Sequence, residues 1–179
     1  MSTPPRSCPP GFDVLLTDEL RRRIGEVRVY VAPEPLSRAS IRYYALAVRD
    51  ANPLYTDPDA ALSAGWDDVI APPTLLCDSN QYMSGTPNDD GFLGADWGLL
   101  LPGTRPVRGG NDYTFHRPGR PSDRVTVTWR LVDMTERVRA NGLALVIVTS
   151  QARVTALDGE PILTNVETMV YVEIGEDVG

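Results

Sequence analysis

Lysine is absent from the sequence, and histidine and cysteine are scarce. All 17 basic residues are arginine, His116 is the sole histidine, and Cys8 and Cys77 are the two cysteines. These residues cannot assemble a zinc site of the usual Cys/His kind, and neither cysteine has a metal-ligand or C-x-x-C spacing. We therefore expect no metal, no cofactor and no disulfide framework, which fits a reducing compartment.

Long apolar runs are also missing. No stretch is long enough to span a bilayer, and the first residues lack an apolar segment of signal-peptide length. The net charge is −7 and the pI is about 4.7, whereas affinity for nucleic acid comes mainly from clustered cations. We expect a cytoplasmic protein that binds neither nucleic acid nor a membrane.

The length of the chain bounds its domain organisation. A chain of 179 residues, 42% of them hydrophobic, fits one domain with one sizeable core. Four prolines fall within the first ten residues, and the first helix-capping signal comes only at Thr17. The sequence therefore predicts a flexible N-terminal arm over residues 1–16 and a single domain over residues 17–179.

Helix signals dominate the first half of the chain. Capping residues ahead of helix-forming runs predict four helices, beginning near Thr17, Ser37, Asp57 and Thr74. The second helix is predicted to run through Val48 and to bury a stripe of four residues at helical spacing, Ile41, Tyr44, Ala45 and Val48. The fourth is predicted to end near Met83.

Strand signals dominate the second half. VRVYV predicts one short strand near the start, and residues 84–110, rich in Gly, Pro and Asp, predict a long excursion with one strand at DWGLLL. Four long β-branched runs then follow, NDYTFHRP, DRVTVTWRLVDMTERV, LALVIVTSQARVTAL and PILTNVETMVYVEI. A strand, then helices, then long strands predicts an α+β fold in which an antiparallel sheet covers one main helix.

Three phrases between about Gly25 and Val172 carry a family resemblance. SRASIRYYALAVRDANPLYTD, VIAPPT and FHRPGRPSDRV occur in this order, and together they resemble the MaoC-like hydratases and dehydratases, in particular the N-terminal dehydratase branch of the fatty-acid-synthase type. The resemblance implies a hot-dog fold, in which a long antiparallel sheet wraps a central helix. It also implies addition or removal of water at the double bond of an enoyl thioester of coenzyme A or acyl carrier protein.

The segment DANPLY departs from the catalytic motif of that family. Catalytic members use the Asp and His of D-x-N-x-x-H to activate water and move a proton; Asp50 and Asn52 match the motif, but Tyr55 stands in place of the His. An unperturbed phenol has a pKa near 10 and is almost never deprotonated at neutral pH, whereas imidazole titrates there. Apart from the resemblance, Asp50 and Asn52 also read as an ordinary Asn-Pro turn after a helix, and Tyr55 as a packing residue.

A second departure lies at the start of the predicted central helix. Catalytic relatives have a glycine there whose N–H polarises the thioester carbonyl, and the resemblance places Pro73 at that glycine, two residues after Ala71. Proline has no N–H, so the N–H of Thr74 is the nearest substitute. Loss of one such donor typically slows a reaction about a hundredfold to a thousandfold.

Five arginines fall in one short region of this acidic chain, at positions 105, 108, 117, 120 and 124. Arg117 and Arg120 belong to the family-like phrase and are our candidates for binding the phosphates of the thioester carrier. Ion pairs with Asp112 and Asp123 are the alternative role for these arginines. His116 reads either as an ordinary strand residue or as a base that approaches Asp50 across the fold.

Four functions remain open at this point. In the first, this chain is a hot-dog subunit of a hydratase or dehydratase, and a MaoC-like partner chain supplies the intact Asp/His pair. In the second, Asp50 and Tyr55 catalyse the reaction themselves, on a polyketide or other secondary-metabolite thioester, in a homo-oligomer. The third is thioester hydrolysis, and the fourth is a non-catalytic acyl-binding module.

Overall fold

The computed structural model describes residues 14–79 and 97–175, and its main feature is one five-stranded antiparallel sheet. Four helices precede the long strands: α1 Asp18–Arg22, α2 Arg38–Ala47, α3 Pro58–Ser63 and α4 Pro73–Ser79, with a short 3-10 helix at Pro53–Tyr55. The strands are β1 Val27–Val31, β2 Thr104–Phe115, β3 Val125–Val138, β4 Ala144–Ala156 and β5 Pro161–Glu173. The predicted α+β order is confirmed.

The predicted caps form as the sequence indicated. Ser37 and Ser40 make a reciprocal capping box at the start of α2, and the carboxylate of Asp57 accepts hydrogen bonds from the first turn of α3. These groups satisfy backbone N–H donors that have no acceptor within their own helix. One detail was wrong: α2 ends at Ala47, and Val48 is exposed rather than buried.

The strand order β1-β3-β4-β5-β2 leaves β1 and β2 at the two edges. The prediction for residues 97–110 was wrong, because β2 begins at Thr104 and the described part of DWGLLL forms no strand. Proline and glycine had indicated a loop, but an edge strand tolerates Pro106 because one row of its backbone groups has no strand partner. A bulge between Arg108 and Gly110 absorbs the glycines.

The core lies between the inner face of the sheet and α4. Leu76 of α4 is fully buried and shares one cluster with Trp129, Leu131 and Leu163 of the strands. The N-terminal segment also contributes, since Leu16 is 1% exposed and the backbone N–H groups of Leu15 and Leu16 donate to the carboxylate of Glu136. Ordered packing thus begins before Thr17, within the last residues of the segment predicted to be an arm.

A second, smaller cluster packs beside this core. Ile41 and Ala45 of α2 meet Tyr55, Val69 and Ala71 there.

In the described ranges, no helix combines the length and apolar character needed to cross a membrane. The predicted end of α4 near Met83 lies outside the described residues.

Candidate active site

The position of Asp50 is fixed by the end of α2. The N–H of Arg49 donates to the carbonyl of Leu46 at 3.1 Å, and the N–H of Asp50 donates to the carbonyl of Ala45 at 2.8 Å. These two bonds make a Schellman motif, in which the residue after the cap adopts the left-handed conformation. Arg49 occupies that position with a φ of 58°, although glycine is the residue usually found there.

Asp50 and Asn52 hold the turn that follows. The carboxylate of Asp50 accepts a hydrogen bond of 3.1 Å from the N–H of Asn52, and the side-chain oxygen of Asn52 accepts one of 3.1 Å from the N–H of Leu54. The second bond caps the short 3-10 helix. Both side chains thus have the structural role of an Asn-Pro turn, while Asp50 stays exposed to solvent.

Tyr55 lies in the smaller core. It is 8% exposed and packs with Ile41, Ala45 and Ala71. Among the described residues, Asp50 and Tyr55 share no hydrogen bond. The structure thus places Tyr55 beside the backbone that leads into α4, which agrees with the packing role considered for it.

The segment before α4 is hydrogen-bonded to two other parts of the site. Ile70 N–H donates to the carbonyl of Leu54 at 3.0 Å, and Ala71 N–H donates to the carbonyl of Gly119 at 2.7 Å. A Cβ on Gly119 would lie 3.1 Å from Leu76 Cδ2 and 3.2 Å from the Ala71 Cβ, so a side chain here would press on both neighbours. The three family-like phrases meet here.

The start of α4 presents few donors. Pro73 is its first residue, Leu75 N–H donates to the carbonyl of Pro72, and both Pro73 and Thr74 are exposed. Thr74 lies in the first turn, where backbone N–H groups lack an acceptor within the helix. Its N–H is therefore the first that this end of the helix offers.

A pocket of about 440 Å³ opens between α4 and the end of β2. Three residues predicted to bind substrate, Ala71, Pro73 and Arg117, line it together with His116. Sequence reasoning missed Trp66 and Phe115, which form two of its apolar walls. The signal available for Trp66 was its position directly after Gly65, the glycine that follows α3. Asp50 and Tyr55 are not among the lining residues.

Arg117 is held in ion pairs at the rim of this pocket. Its side chain is 9% exposed and contacts the carboxylates of Asp123 and Glu160. The bond to Asp123 raises the pKa of the guanidinium, and burial opposes that rise. Arg120 is exposed and lines a separate hollow of about 290 Å³ beside Asp67 and Asp68. The structure therefore does not place the two candidate arginines in the same cavity.

His116 is the one imidazole of the chain, and it is exposed at the end of β2. Its Nε2 lies 3.0 Å from Thr164 Oγ1 on β5. It shares the pocket with Pro73 at the start of α4. In the part of the chain that the structure describes, no group of three His, Cys, Asp or Glu side chains could hold a metal ion.

Comparison with known proteins identifies similar sequences. Residues 24–165 match the family model of the FAS1-like dehydratase domain region. The chain is 33% identical over 142 residues to a UPF0336 protein of Saccharopolyspora erythraea, covering 79% of this chain and 84% of that one. It is 42% identical over 97 residues to a UPF0336 protein of Streptomyces coelicolor, covering 54% of this chain and 61% of that one.

Comparison of structures identifies the fold. The chain is similar to a chain of the ChsH1-ChsH2 complex of Mycobacterium tuberculosis, with a TM-score of 0.64, 21% identity, and coverage of 84% and 90%. A MaoC-like dehydratase of Rhodospirillum rubrum gives a TM-score of 0.62, 19% identity, and coverage of 85% and 94%. A chain of the HadBC 3R-hydroxyacyl-ACP dehydratase complex of M. tuberculosis gives a TM-score of 0.59 and 23% identity. The match covers 83% of this chain and 96% of that one. The expected hot-dog fold is confirmed.

Proposed function

This chain belongs to the FAS1-like dehydratase family, and we propose that it is a subunit of an enoyl-thioester hydratase or 3-hydroxyacyl-thioester dehydratase. A second, MaoC-like chain supplies the intact Asp/His pair, and this chain completes the sheet and shapes the acyl pocket. The substrate is a thioester of coenzyme A or acyl carrier protein. The observation that carries the proposal is the burial of Tyr55 in the core, at the motif position of the catalytic His.

The buried phenol supports a loss of acid-base function in this motif. Hydration needs a group that accepts a proton from water near neutral pH and returns one to the substrate carbon, and imidazole does this because its pKa lies near the working pH. Tyr55 instead packs against apolar side chains in the smaller core and is 8% exposed. Asp50 can still orient a water molecule, because its carboxylate is exposed.

Pro73 supports the same conclusion. A thioester carbonyl is polarised by a donor that is already in place when charge develops on its oxygen. Pro73 offers none, and Thr74 N–H lies one residue further along the helix. A chain without the imidazole of the motif and with a displaced donor should turn over very slowly alone. A partner with both groups would restore the rate.

Two observations support a partner chain. The similar chains of known structure include subunits of two-component assemblies, ChsH1-ChsH2 and HadBC. On α2, Tyr43 and Leu46 also lie at the i, i+3 spacing of one helix face, and they are 64% and 62% exposed. Apolar side chains grouped on one surface are typical of a contact with another protein.

Catalysis by this chain alone is the second candidate. His116 favours it, because this imidazole lines the same pocket as Ala71 and Pro73. In that case His116 would move the proton, and a second copy of this chain would have to bring a carboxylate to the water, because Asp50 of the same chain does not line this pocket.

The test is turnover of a short and a long enoyl-CoA, followed by the loss of enoyl absorbance. The chain is assayed alone, and then with the MaoC-like protein that co-purifies from its native host. We expect turnover only in the mixture. Replacing the partner's motif His should abolish it, whereas Asp50→Asn in this chain should change it far less.

One control and three alternative outcomes separate the candidates. Asp59→Asn changes a second exposed aspartate and should have no effect. Full activity of the chain alone, lost in His116→Gln, would overturn the proposal in favour of self-sufficient catalysis. Release of free thiol without loss of the enoyl group would indicate thioester hydrolysis instead. Binding of thioester and partner with no gain in turnover would indicate a non-catalytic acyl-binding module.

A further inference from the structure

A buried carboxylate lies on the inner face of the sheet, away from the pocket at α4. Glu167 of β5 is 3% exposed, and its strand neighbours are Asn111 of β2 and Ser150 of β4. An ionisable side chain is almost never buried to this extent unless it is paired. The position therefore has a cost in folding free energy, and it invites a functional explanation.

The pairing of Glu167 is incomplete. Its Oε2 has no hydrogen-bond partner among the described residues, and the guanidinium of Arg108 lies 3.8 Å away, too far for a hydrogen bond. Arg108 is half exposed, so solvent weakens its attraction. Burial raises the pKa of Glu167, and the charge of Arg108 opposes that rise.

This carboxyl group lines a cavity of about 350 Å³. The other walls are mostly apolar and include Trp97, Leu101, Val148, Met169 and Tyr171. Small-molecule sites have this composition, a concave apolar wall with a few polar groups that fix orientation. The cavity reaches Thr104 at the start of β2, whereas the pocket beside α4 lies at Phe115, the other end of the same strand.

Trp97 is a fixed wall of this cavity. Its indole N–H donates to Ser150 Oγ at 2.8 Å, and its carbonyl accepts hydrogen bonds of 2.8 Å from Arg23 and 2.9 Å from Arg28. The guanidinium of Arg28 also stacks over its ring, 5.2 Å from the centroid. A wall held by this many contacts keeps its shape before a ligand arrives, which lowers the cost of binding.

We propose that this cavity binds an uncharged, mainly apolar small molecule with a hydroxyl group that hydrogen-bonds to Glu167. A hydroxyl suits the site because it can donate to the carboxylate, which an ether oxygen cannot do. An anionic ligand would meet the carboxylate in a desolvated space, which is unfavourable. The proposal goes beyond the enzymatic function, and its test measures binding without turnover.

The test compares three probes of equal length: 1-hexanol, 1-methoxypentane and hexanoate. Binding to the full chain is followed by the NMR signal of the Trp97 indole N–H, assigned with Trp97→Phe, and by calorimetry. We expect 1-hexanol to shift this signal and to bind more tightly than the ether, which lacks the donor, and than the anion. The difference between alcohol and ether should be roughly tenfold, which corresponds to one hydrogen bond.

Two variants test the role of the carboxyl group. Glu167→Leu should reduce alcohol binding to the level of the ether, whereas Glu167→Gln keeps a carbonyl acceptor for the hydroxyl and should bind the alcohol more tightly than Glu167→Leu does. Both fill the same space, and their folding is checked by the Trp97 signal itself. Equal binding of alcohol and ether to the wild type, or an unchanged preference in Glu167→Leu, would overturn the proposal.

Discussion

Arg117 forms a two-point ion pair with Asp123. Nη1 lies 2.6 Å from Oδ2, and Nη2 lies 3.0 Å from Oδ1. The Nε atom lies 2.8 Å from Glu160 Oε2. This contact is an ion pair and not a hydrogen bond, because the Nε–H group does not point at the oxygen. This pairing joins the loop after β2 to the start of β3 and fixes one wall of the pocket beside α4.

The first prediction follows from that pair. Arg117→Ala removes the ion-pair partner of the Asp123 carboxylate, which is 12% exposed and, among the described residues, keeps only the hydrogen bond from the N–H of Arg120. The loss of one partner of a buried pair costs about 3 kcal/mol of unfolding free energy. Denaturant unfolding measures the change. Arg120→Ala removes an exposed arginine of the same loop and should change stability by less than about 0.5 kcal/mol. Equal effects of the two replacements would contradict this role of the ion pair.

The second prediction concerns pH. The pKa of Glu167 in the folded protein is raised above 4.5 by burial, so its stabilising contribution is complete below that value and is lost as pH rises through the folded pKa. Arg108 of β2 is the charged group that faces it, and β4 contributes the uncharged Ser150. Glu167→Gln should therefore gain stability over the wild type as pH rises from 4 to 8.

Denaturant unfolding at a series of pH values measures the gap, which is the difference in unfolding free energy between Glu167→Gln and the wild type. Glu34→Gln removes the same charge at the surface and serves as the control. A gap between wild type and Glu167→Gln that stays constant across the range would show that ionisation of the buried carboxyl carries no cost.

The third prediction concerns Trp97. Ser150→Ala removes the acceptor of a buried indole N–H, and a buried donor left without a partner costs about 1–3 kcal/mol. The indole signal should also move in the NMR spectrum. Ser63→Ala, where the hydroxyl bonds an exposed carbonyl of α3, is the matched control and should have little effect. No change in stability or in the indole signal of Ser150→Ala would mean that Arg23 and Arg28 alone hold Trp97.

The fourth prediction concerns the left-handed residue ahead of Asp50. Arg49→Gly should raise the free energy of unfolding by about 1 kcal/mol, since glycine adopts a φ of 58° without a Cβ penalty. The same exchange inside α2, Arg42→Gly, should lower it by about 1 kcal/mol. Thermal and denaturant unfolding measure both. Destabilisation by Arg49→Gly would show that the arginine side chain makes contacts worth more than the strain.

The sequence predicts the elements of this fold better than their arrangement. Ser37 and Asp57 could be recognised as caps because a cap depends on its own next three residues. The start of β2 at Thr104 could not be predicted in this way. Pro106 is tolerated only at a sheet edge, and the edge position depends on strands far along the chain. Local signals describe local structure, and pairing across the sheet lies beyond them.

The candidate site shows the same division. Ala71, Pro73 and Arg117 could be selected because each lies in a family-like phrase, and all three line one pocket. Glu167 was missed, although the alternation of its strand puts it on the inner face with Leu163 and Met169. A polar residue in an inward position was the available signal. Its burial and its cavity depend on β2, β4 and Trp97, which only the structure brings together.

The order of the strands also has a consequence for synthesis on the ribosome. Strands β3, β4 and β5 follow one another in the chain and can pair as soon as they emerge, whereas Val27 of β1 pairs with Arg130, 103 positions later. Closing so long a loop is slow compared with the pairing of neighbouring strands. We therefore expect β1 to remain without a partner until β3 has left the exit tunnel, and to join the sheet only then.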